Sequence, residues 1–301
     1  MCGIVGLFSK SPELEEFLGG HLAAMLTQMS DRGPDSAGVA VYRDPAPAGS
    51  SKLTLFSADA LEDWDALAAE LGNAFGGSPE PSVRSSHAVM VVESDATEVE
   101  AWLRRTHPRL RVMSAGQAIE IYKETGRPED FVRQFALTDL RGSHGLGHTR
   151  MATESRVTTE GSHPFSTGLD VCLVHNGSLS NHNRLRERLR REGIDFQTDN
   201  DTEVAAGYLA WQLHEGASLE GALEGCLEDL DGFYTFLVGT LEGFAVLRDP
   251  IACKPAVLAE TDHWVAMASE WRAIAVLPGA AEARAWEPAP GVVYAWERAR
   301  V

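Results

Sequence analysis

A cysteine stands directly after the first methionine, in Met1-Cys2-Gly3-Ile4-Val5-Gly6. Removal of Met1, which a small second residue favours, would leave a nucleophile and a base on one residue. A free thiol titrates near ~8.5 and an α-amine near ~7.7–8.0. Part of the amine is therefore neutral at neutral pH and can take the thiol proton, directly or through a water, as N-terminal nucleophiles do. The plainer alternative is a cysteine that packs as a small apolar side chain.

Four polar clusters further along the chain bear on that choice. In Arg32-Gly33-Pro34-Asp35-Ser36, Asp35 and Ser36 suit local backbone hydrogen bonds in a turn, while Arg32 can add positive potential beside Cys2. In Gly147-His148-Thr149-Arg150, an arginine ends a glycine-flanked strand, a good place for a bidentate grip on a carboxylate; pairing with a neighbouring acid is the alternative. In Val174-His175-Asn176-Gly177, the Asn176 amide and the Gly177 N–H form the donor pair that an oxyanion requires, in a dipeptide that also favours a turn with positive φ. In Asp199-Asn200-Asp201-Thr202-Glu203, Asp199 and Glu203 read as acids capping a helix start, and Asp201 can hold an ammonium. A thiol with its own base, an oxyanion hole, a cationic clamp and an anionic clamp together fit one substrate. It carries an α-carboxylate, an α-ammonium and a reactive side-chain carbonyl: L-glutamine.

The chain resembles the class-II glutamine amidotransferases, the N-terminal-nucleophile glutaminases found in glucosamine-6-phosphate synthase, amidophosphoribosyltransferase and glutamate synthase. The segments that carry the resemblance run in the family's order. They are Cys2-Gly-Ile-Val-Gly6, Arg32-Gly-Pro-Asp-Ser-Ala-Gly38, Gly147-His-Thr-Arg-Met-Ala-Thr153, His163-Pro164, Val174-His-Asn-Gly177, Asn181-His182, Asp201-Thr-Glu203, Arg248-Asp-Pro250, Lys254-Pro255 and Ala268-Ser-Glu270. The resemblance implies an α+β fold, a four-layer αββα sandwich. It implies Cys2 as nucleophile, Asn176 and Gly177 as oxyanion hole, Arg150 and Asp201 as clamps on the glutamine carboxylate and amine, and Arg32 and Thr153 as residues lining the site. Met151 departs from the aromatic residue common after the site arginine, and the stretch of about 52–144 has no counterpart among these segments. That stretch is expected to be a small inserted α+β unit, serving as a docking surface or lid.

Periodicity supplies the elements that must position these groups. Strands are expected at 4–8, 37–42, 53–57, 87–93, 145–150, 171–176, 233–239, 244–248, 256–260, 264–268 and 291–296, with a hairpin over 110–123. Helices are expected at 13–29, 61–71, 95–106, 128–137, 181–192, 201–215 and 218–229. The first would bury Leu14, Phe17, Leu18, Leu22, Met25, Leu26 and Met29 on one side. Strand runs bracketing a block of helices suggest sheets packed together under helices.

Composition excludes several classes. The 301 residues carry 26 basic and 44 acidic side chains, a formal charge of −18, which disfavours phosphate backbones and anionic membranes. The arginines of 184–191 read as the solvated face of an amphipathic helix through Leu185 and Leu189. No apolar run reaches the ~18–20 residues of a membrane span, and no secretory leader is apparent. Four widely spaced cysteines argue against a disulfide framework or a structural zinc site and fit the cytoplasm. Neither a phosphate-binding loop nor a dinucleotide fingerprint is present.

The sequence thus points to a glutaminase subunit that releases ammonia to a separate synthase chain, similar to the amidotransferase subunits of glutamate-synthase-like or N-methylglutamate-synthase-like complexes. The resemblance implies no cofactor on this chain, with FMN and iron–sulfur centres on partner subunits. A regulatory subunit keeping the fold, or part of an amino-sugar- or asparagine-forming enzyme, stays open at this level.

Overall fold

In a computed structural model of the chain, residues 2–152 and 156–298 are described. The strands are β1 Gly3–Ser9, β2 Ser36–Tyr42, β3 Ser51–Phe56, β4 Ser82–Arg84, β5 His87–Val92, β6 Arg111–Gly116, β7 Ile119–Thr125 and β8 His144–Arg150. They continue with β9 Phe165–Gly168, β10 Val171–Leu179, β11 Gly232–Gly239, β12 Gly243–Arg248, β13 Val257–Glu260, β14 Trp264–Ala268, β15 Arg284–Trp286 and β16 Val293–Glu297. The helices are α1 Pro12–Glu16, α2 Leu18–Thr27, α3 Trp64–Phe75, α4 Ala96–Thr106, α5 Pro128–Gln134, α6 His182–Arg191, α7 Asp201–His214, α8 Leu219–Asp229 and α9 Trp271–Ile274.

Two antiparallel sheets stack face to face. One has seven strands in the order β15-β13-β14-β1-β8-β2-β7, the other five in the order β16-β12-β11-β10-β9. The period-2 alternation of side chains decides what each face buries. On β1, Val5 and Leu7 meet α2, α5 and α9 in the outer core. Ile4 and Phe8 point the other way, toward Cys172, Val174, Leu237 and Phe244 of the facing sheet. Leu173, Phe236 and Leu247 line the far face of the second sheet under α6, α7 and α8. The layers run helix, sheet, sheet, helix, with α+β composition and antiparallel strand pairing throughout.

Residues 51–116 leave this sandwich and form a separate four-stranded sheet, β4-β5-β3-β6. It has its own core, in which Leu53, Leu55, Met90 and Val92 pack against Trp64, Leu67 and Leu71 of α3 and Val99 and Leu103 of α4. The expected hairpin over 110–123 does not form as a pair. β6 pairs with β3 in the small sheet, whereas β7 pairs with β2 in the large one. The separate sheet is therefore narrower than 52–144, because 119–144 returns to the sandwich.

Two other differences have local causes. The helix expected over 13–29 breaks at Phe17, whose side chain is 63% exposed rather than buried. The chain restarts there so that Gly19 can donate its N–H to Leu140 O at 2.8 Å, in a spot where a Cβ would sit 2.1 Å from Leu137 O. Downstream, the strand expected to end at 176 continues through Asn176-Gly177 to Leu179, paired with β11 along its length. The short strands β9 and β15 carry too little pattern to be seen in sequence.

Candidate active site

Strand parity gathers the candidate residues at one end of the sandwich. β1 and β8 are antiparallel partners, with Gly3 opposite Thr149, so the residue before β1 meets the residues after β8. Cys2 Sγ lies 3.5 Å from the Met151 N–H, which points to it, and 3.8 Å from Met151 O. Arg150 ends β8 opposite Ser36 of β2; its guanidinium is buried and donates to Arg156 O at 3.3 Å. On β10, His175 and Asn176 face opposite ways. Asn176 turns to the space between the sheets, and its Nδ2 donates to Cys2 O at 3.2 Å.

Arg32 completes the surroundings of Cys2. Its Nε donates to the same Cys2 carbonyl at 2.9 Å and its Nη1 to Glu270 Oε1 at 2.5 Å. The hydrogen bond from Arg32 holds the Glu270 carboxyl below its usual range, with help from Arg272 at 2.8 Å. Two donors on one carbonyl fix the plane of the Cys2 peptide and, through it, the thiol. Ser269 adds a further tie by accepting the Ile4 N–H at 2.9 Å.

Gly177 pairs with Tyr234 at φ +156°, and a Cβ there would lie 2.0 Å from Phe233 O. This close passage of two strands takes the place of the turn expected after Asn176. Asp201 opens α7 beneath it: Oδ2 accepts the Leu179 N–H at 3.0 Å, and Oδ1 lies 3.8 Å from His175 Nδ1. The helix cap is the Asn200 side chain, which accepts the Thr202 N–H at 2.9 Å; Asp199 is not the cap. Glu203 accepts the N–H groups of Gln197 and Thr198, both at 2.7 Å, fastening the approach to α7. Asp35, expected to bond its own turn, reaches across instead to accept the Ala152 N–H at 2.8 Å. Thr153 lies outside the described residues.

Behind these residues three histidines are buried around Thr202. His163 Nε2 is 2.7 Å and His175 Nδ1 3.0 Å from Thr202 Oγ1, while His148 Nε2 is 3.1 Å from His175 O. Burial pushes His148 down to about 3 and lowers His163 and His175 as well. The imidazoles are neutral at neutral pH and act as packing that joins β8, β10 and α7. Glu270, Ser269 and Thr202 lay within recognisable segments, but nothing in their spacing showed which neighbours they would hold. The arrangement offers a partly exposed thiol facing a backbone N–H, with the Arg32 guanidinium and the Asn176 amide on the carbonyl of the same residue.

Comparison with known proteins follows the same line. The family profile described as "Glutamine amidotransferase domain" matches residues 148–276. The glutamine amidotransferase-like protein GlxB of Rhizobium meliloti is 55% identical over 298 residues, which are 99% of this chain and 98% of that protein. The "Putative glutamine amidotransferase" of Methanothermobacter thermautotrophicus is 32% identical over 280 residues, 90% of this chain and 92% of its own length. Among solved structures, the glutamine phosphoribosylpyrophosphate amidotransferase of B. subtilis shares the fold. Its TM-score is 0.63 at 20% identity, with 98% of this chain and 47% of that chain covered. On the strength of full-length relatives as similar as these, the chain belongs to the class-II glutamine amidotransferase family.

Proposed function

We propose that the chain is a glutaminase subunit that hydrolyses L-glutamine to glutamate and ammonia and hands the ammonia to a separate synthase subunit. The observation that carries this reading is the convergence on Cys2. Asn176 and Arg32 both bond its carbonyl and Met151 N–H faces its sulfur, while Arg150 ends β8 one residue before Met151 and Asp201 opens α7, tied to the end of β10 through Leu179 N–H. In the proposed reaction, the Cys2 amine, freed by loss of Met1, takes the thiol proton. The thiolate attacks the glutamine amide, and Asn176 Nδ2 and Gly177 N–H receive the developing oxyanion. The same amine returns the proton to the leaving ammonia, and water releases glutamate from the thioester. Arg150 grips the α-carboxylate and Asp201 the α-ammonium, with Arg32 keeping the Cys2 peptide in place and Thr153 lining the site.

The relatives matched over nearly their whole length support a glutaminase that works as its own chain. Its partner would be a glutamate-synthase-like or N-methylglutamate-synthase-like subunit that carries any FMN and iron–sulfur centres. Among the described residues no helix is long and apolar enough to cross a membrane. The deciding experiment measures the N-terminal mass and glutamine-dependent ammonia release of the purified chain. The mature protein is expected to begin at Cys2, and Cys2→Ala to lose roughly 10³-fold or more of turnover with the fold intact. Retained turnover in that variant, or retained Met1 in an active protein, would sink the assignment.

A further inference from the structure

Lys123 is buried in the middle of β7, forms no salt bridge among the described residues, and is not part of the mechanism above. Its ammonium donates to three backbone carbonyls: Glu160 O at 3.1 Å, Ser162 O at 3.0 Å and Pro164 O at 3.2 Å. Three donors meet three acceptors, all in the short turn that leads into β9. Phe165, the first residue of β9, packs its ring 4.5 Å from the same Nζ. The turn is knitted internally by Gly161 N–H to Thr158 Oγ1 at 3.1 Å and Ser162 Oγ to Thr158 O at 2.8 Å. Beside Lys123, Glu124 Oε1 accepts from Thr159 Oγ1 at 2.5 Å.

What the turn touches gives the lysine its meaning. Gly161 sits between the two residues that would hold the α-carbon groups of glutamine. A side chain begun at Gly161 would start 3.9 Å from Arg150 Nη1, while Gly161 O accepts from Asn200 Nδ2, at 3.3 Å, one residue before Asp201. His163, two residues on, bonds Thr202 on the other side of Asp201. The turn is thus a spacer whose one face meets the guanidinium and whose other face meets the start of α7. A displaced spacer changes the separation of the clamps while leaving Cys2, Arg32 and Asn176 tied to one another through the Cys2 carbonyl.

We propose that Lys123 is a positioning residue for glutamine binding: by holding the 158–164 turn through three carbonyls, it sets the separation of Arg150 and Asp201. The proposal rests on the glutaminase reading above. Misplacement of a binding group by about 1 Å is enough for changes on the order of 10²-fold, and removing the ammonium takes the donor from three carbonyls, those of Ser162 and Pro164 buried.

The experiment compares wild type with Lys123→Met and Lys123→Gln, the latter keeping two N–H donors. Inactivation rates at Cys2 are measured with two electrophiles and read by mass of the Cys2 peptide, so that exposed Cys253 does not contribute. 6-Diazo-5-oxo-L-norleucine needs the α-amino and α-carboxylate clamps, and iodoacetamide needs only the thiol. Lys123→Met is expected to slow the first reagent at least ~10-fold and the second less than ~2-fold, with KM for glutamine rising in step and kcat within about 3-fold. Lys123→Gln is expected to fall between, and it decides the matter if the methionine variant does not fold. Unchanged diazo-reagent rates in a folded variant overturn the proposal. So does an equal loss with both reagents, which would make Lys123 a support for the thiol alone. A wild-type Cys2 that iodoacetamide labels and the diazo reagent does not would overturn the glutamine reading itself, and the proposal with it.

Discussion

Replacing Asp170 probes the joint between the small sheet and the sandwich. Asp170 sits in the β9–β10 turn at φ +53°, buried, and its carboxylate accepts three successive backbone N–H groups. Gln117 donates at 2.5 Å and Ala118 at 2.8 Å from the link between β6 and β7, and Ile119, the first residue of β7, at 3.1 Å. Its own N–H bonds Ala115 O at 3.0 Å, and its carbonyl accepts from Tyr42 Oη at 3.1 Å. Asp170→Ala leaves three buried donors unmet, each worth about 1–3 kcal/mol, and puts alanine where a left-handed backbone adds about 1 kcal/mol. Allowing for partial rescue by water gives a loss of roughly 3–6 kcal/mol. Asp170→Asn keeps one oxygen for Ala118 and Ile119 but turns an NH₂ toward the Gln117 N–H, for roughly 2–4 kcal/mol. Urea unfolding read by the transition midpoint, with an unchanged slope, measures both. Hydrogen exchange should rise first at residues 117–119. Asn176 lies six positions along β10, about 20 Å away, so glutamine turnover of the folded variants should stay within about twofold of wild type. Wild-type midpoints in Asp170→Asn would refute the claim that this carboxylate bears the joint.

Three further outcomes are expected. Burial holds His87, His144 and His148 neutral, each pushed down to about 3. Below ~6.5 the unfolded chain binds protons that the native state refuses, so stability falls as pH drops from about 6.5 toward 3. Each of these sites contributes up to ~1.4 kcal/mol per pH unit, and urea midpoints at pH 7 and 5 check the sign. Gly177→Ala forces a Cβ onto Phe233 O and should lower stability by about 1–3 kcal/mol and glutamine turnover by roughly 10²-fold or more, both read on the same sample. Glu270→Gln weakens the hold on Arg32, hence on the Cys2 carbonyl. Glu270 is partly exposed although Arg32 is buried, so the pair contributes about 1 kcal/mol to stability, and kcat/KM should drop about 3–10-fold while the melting temperature moves little.

Much of the frame could be read from the chain because its strands and helices repeat at clear periods. Ile4, Val5, Leu7 and Phe8 announce β1, and Leu185 with Leu189 announce the buried side of α6. The separation of β6 from β7 could not be read, since two strands joined by Gln117-Ala118 look like a hairpin until Asp170, over fifty residues later, claims the link. Cys2, Arg150 and Asn176 were visible as residue types suited to one chemistry. The ties of Asp35 to Ala152 and of Arg32 to Glu270 were not, because they join residues that only the sheet register brings together. Lys123 gave no signal at all: a lysine in a strand normally points to water, and here it shares the buried face of Ile119 and Ile121.

The small sheet leaves and rejoins the sandwich at one place. Tyr42 of β2 is paired with Ile119 of β7, and Lys52 of β3 with Gly116 of β6, so the outgoing and returning chains run side by side. In genetic terms, residues 51–116 are a cassette at the tip of a hairpin. Its two ends are held by neighbouring strand pairs, although Phe56 and Met113 also pack into the core between the sandwich sheets. Changes in gene length should therefore concentrate there, and a reporter domain spliced between Arg43 and Ala118 should leave the rest of the sandwich able to fold. Asp170 would be a residue that records such an exchange, since its carboxylate holds the link that the cassette leaves behind.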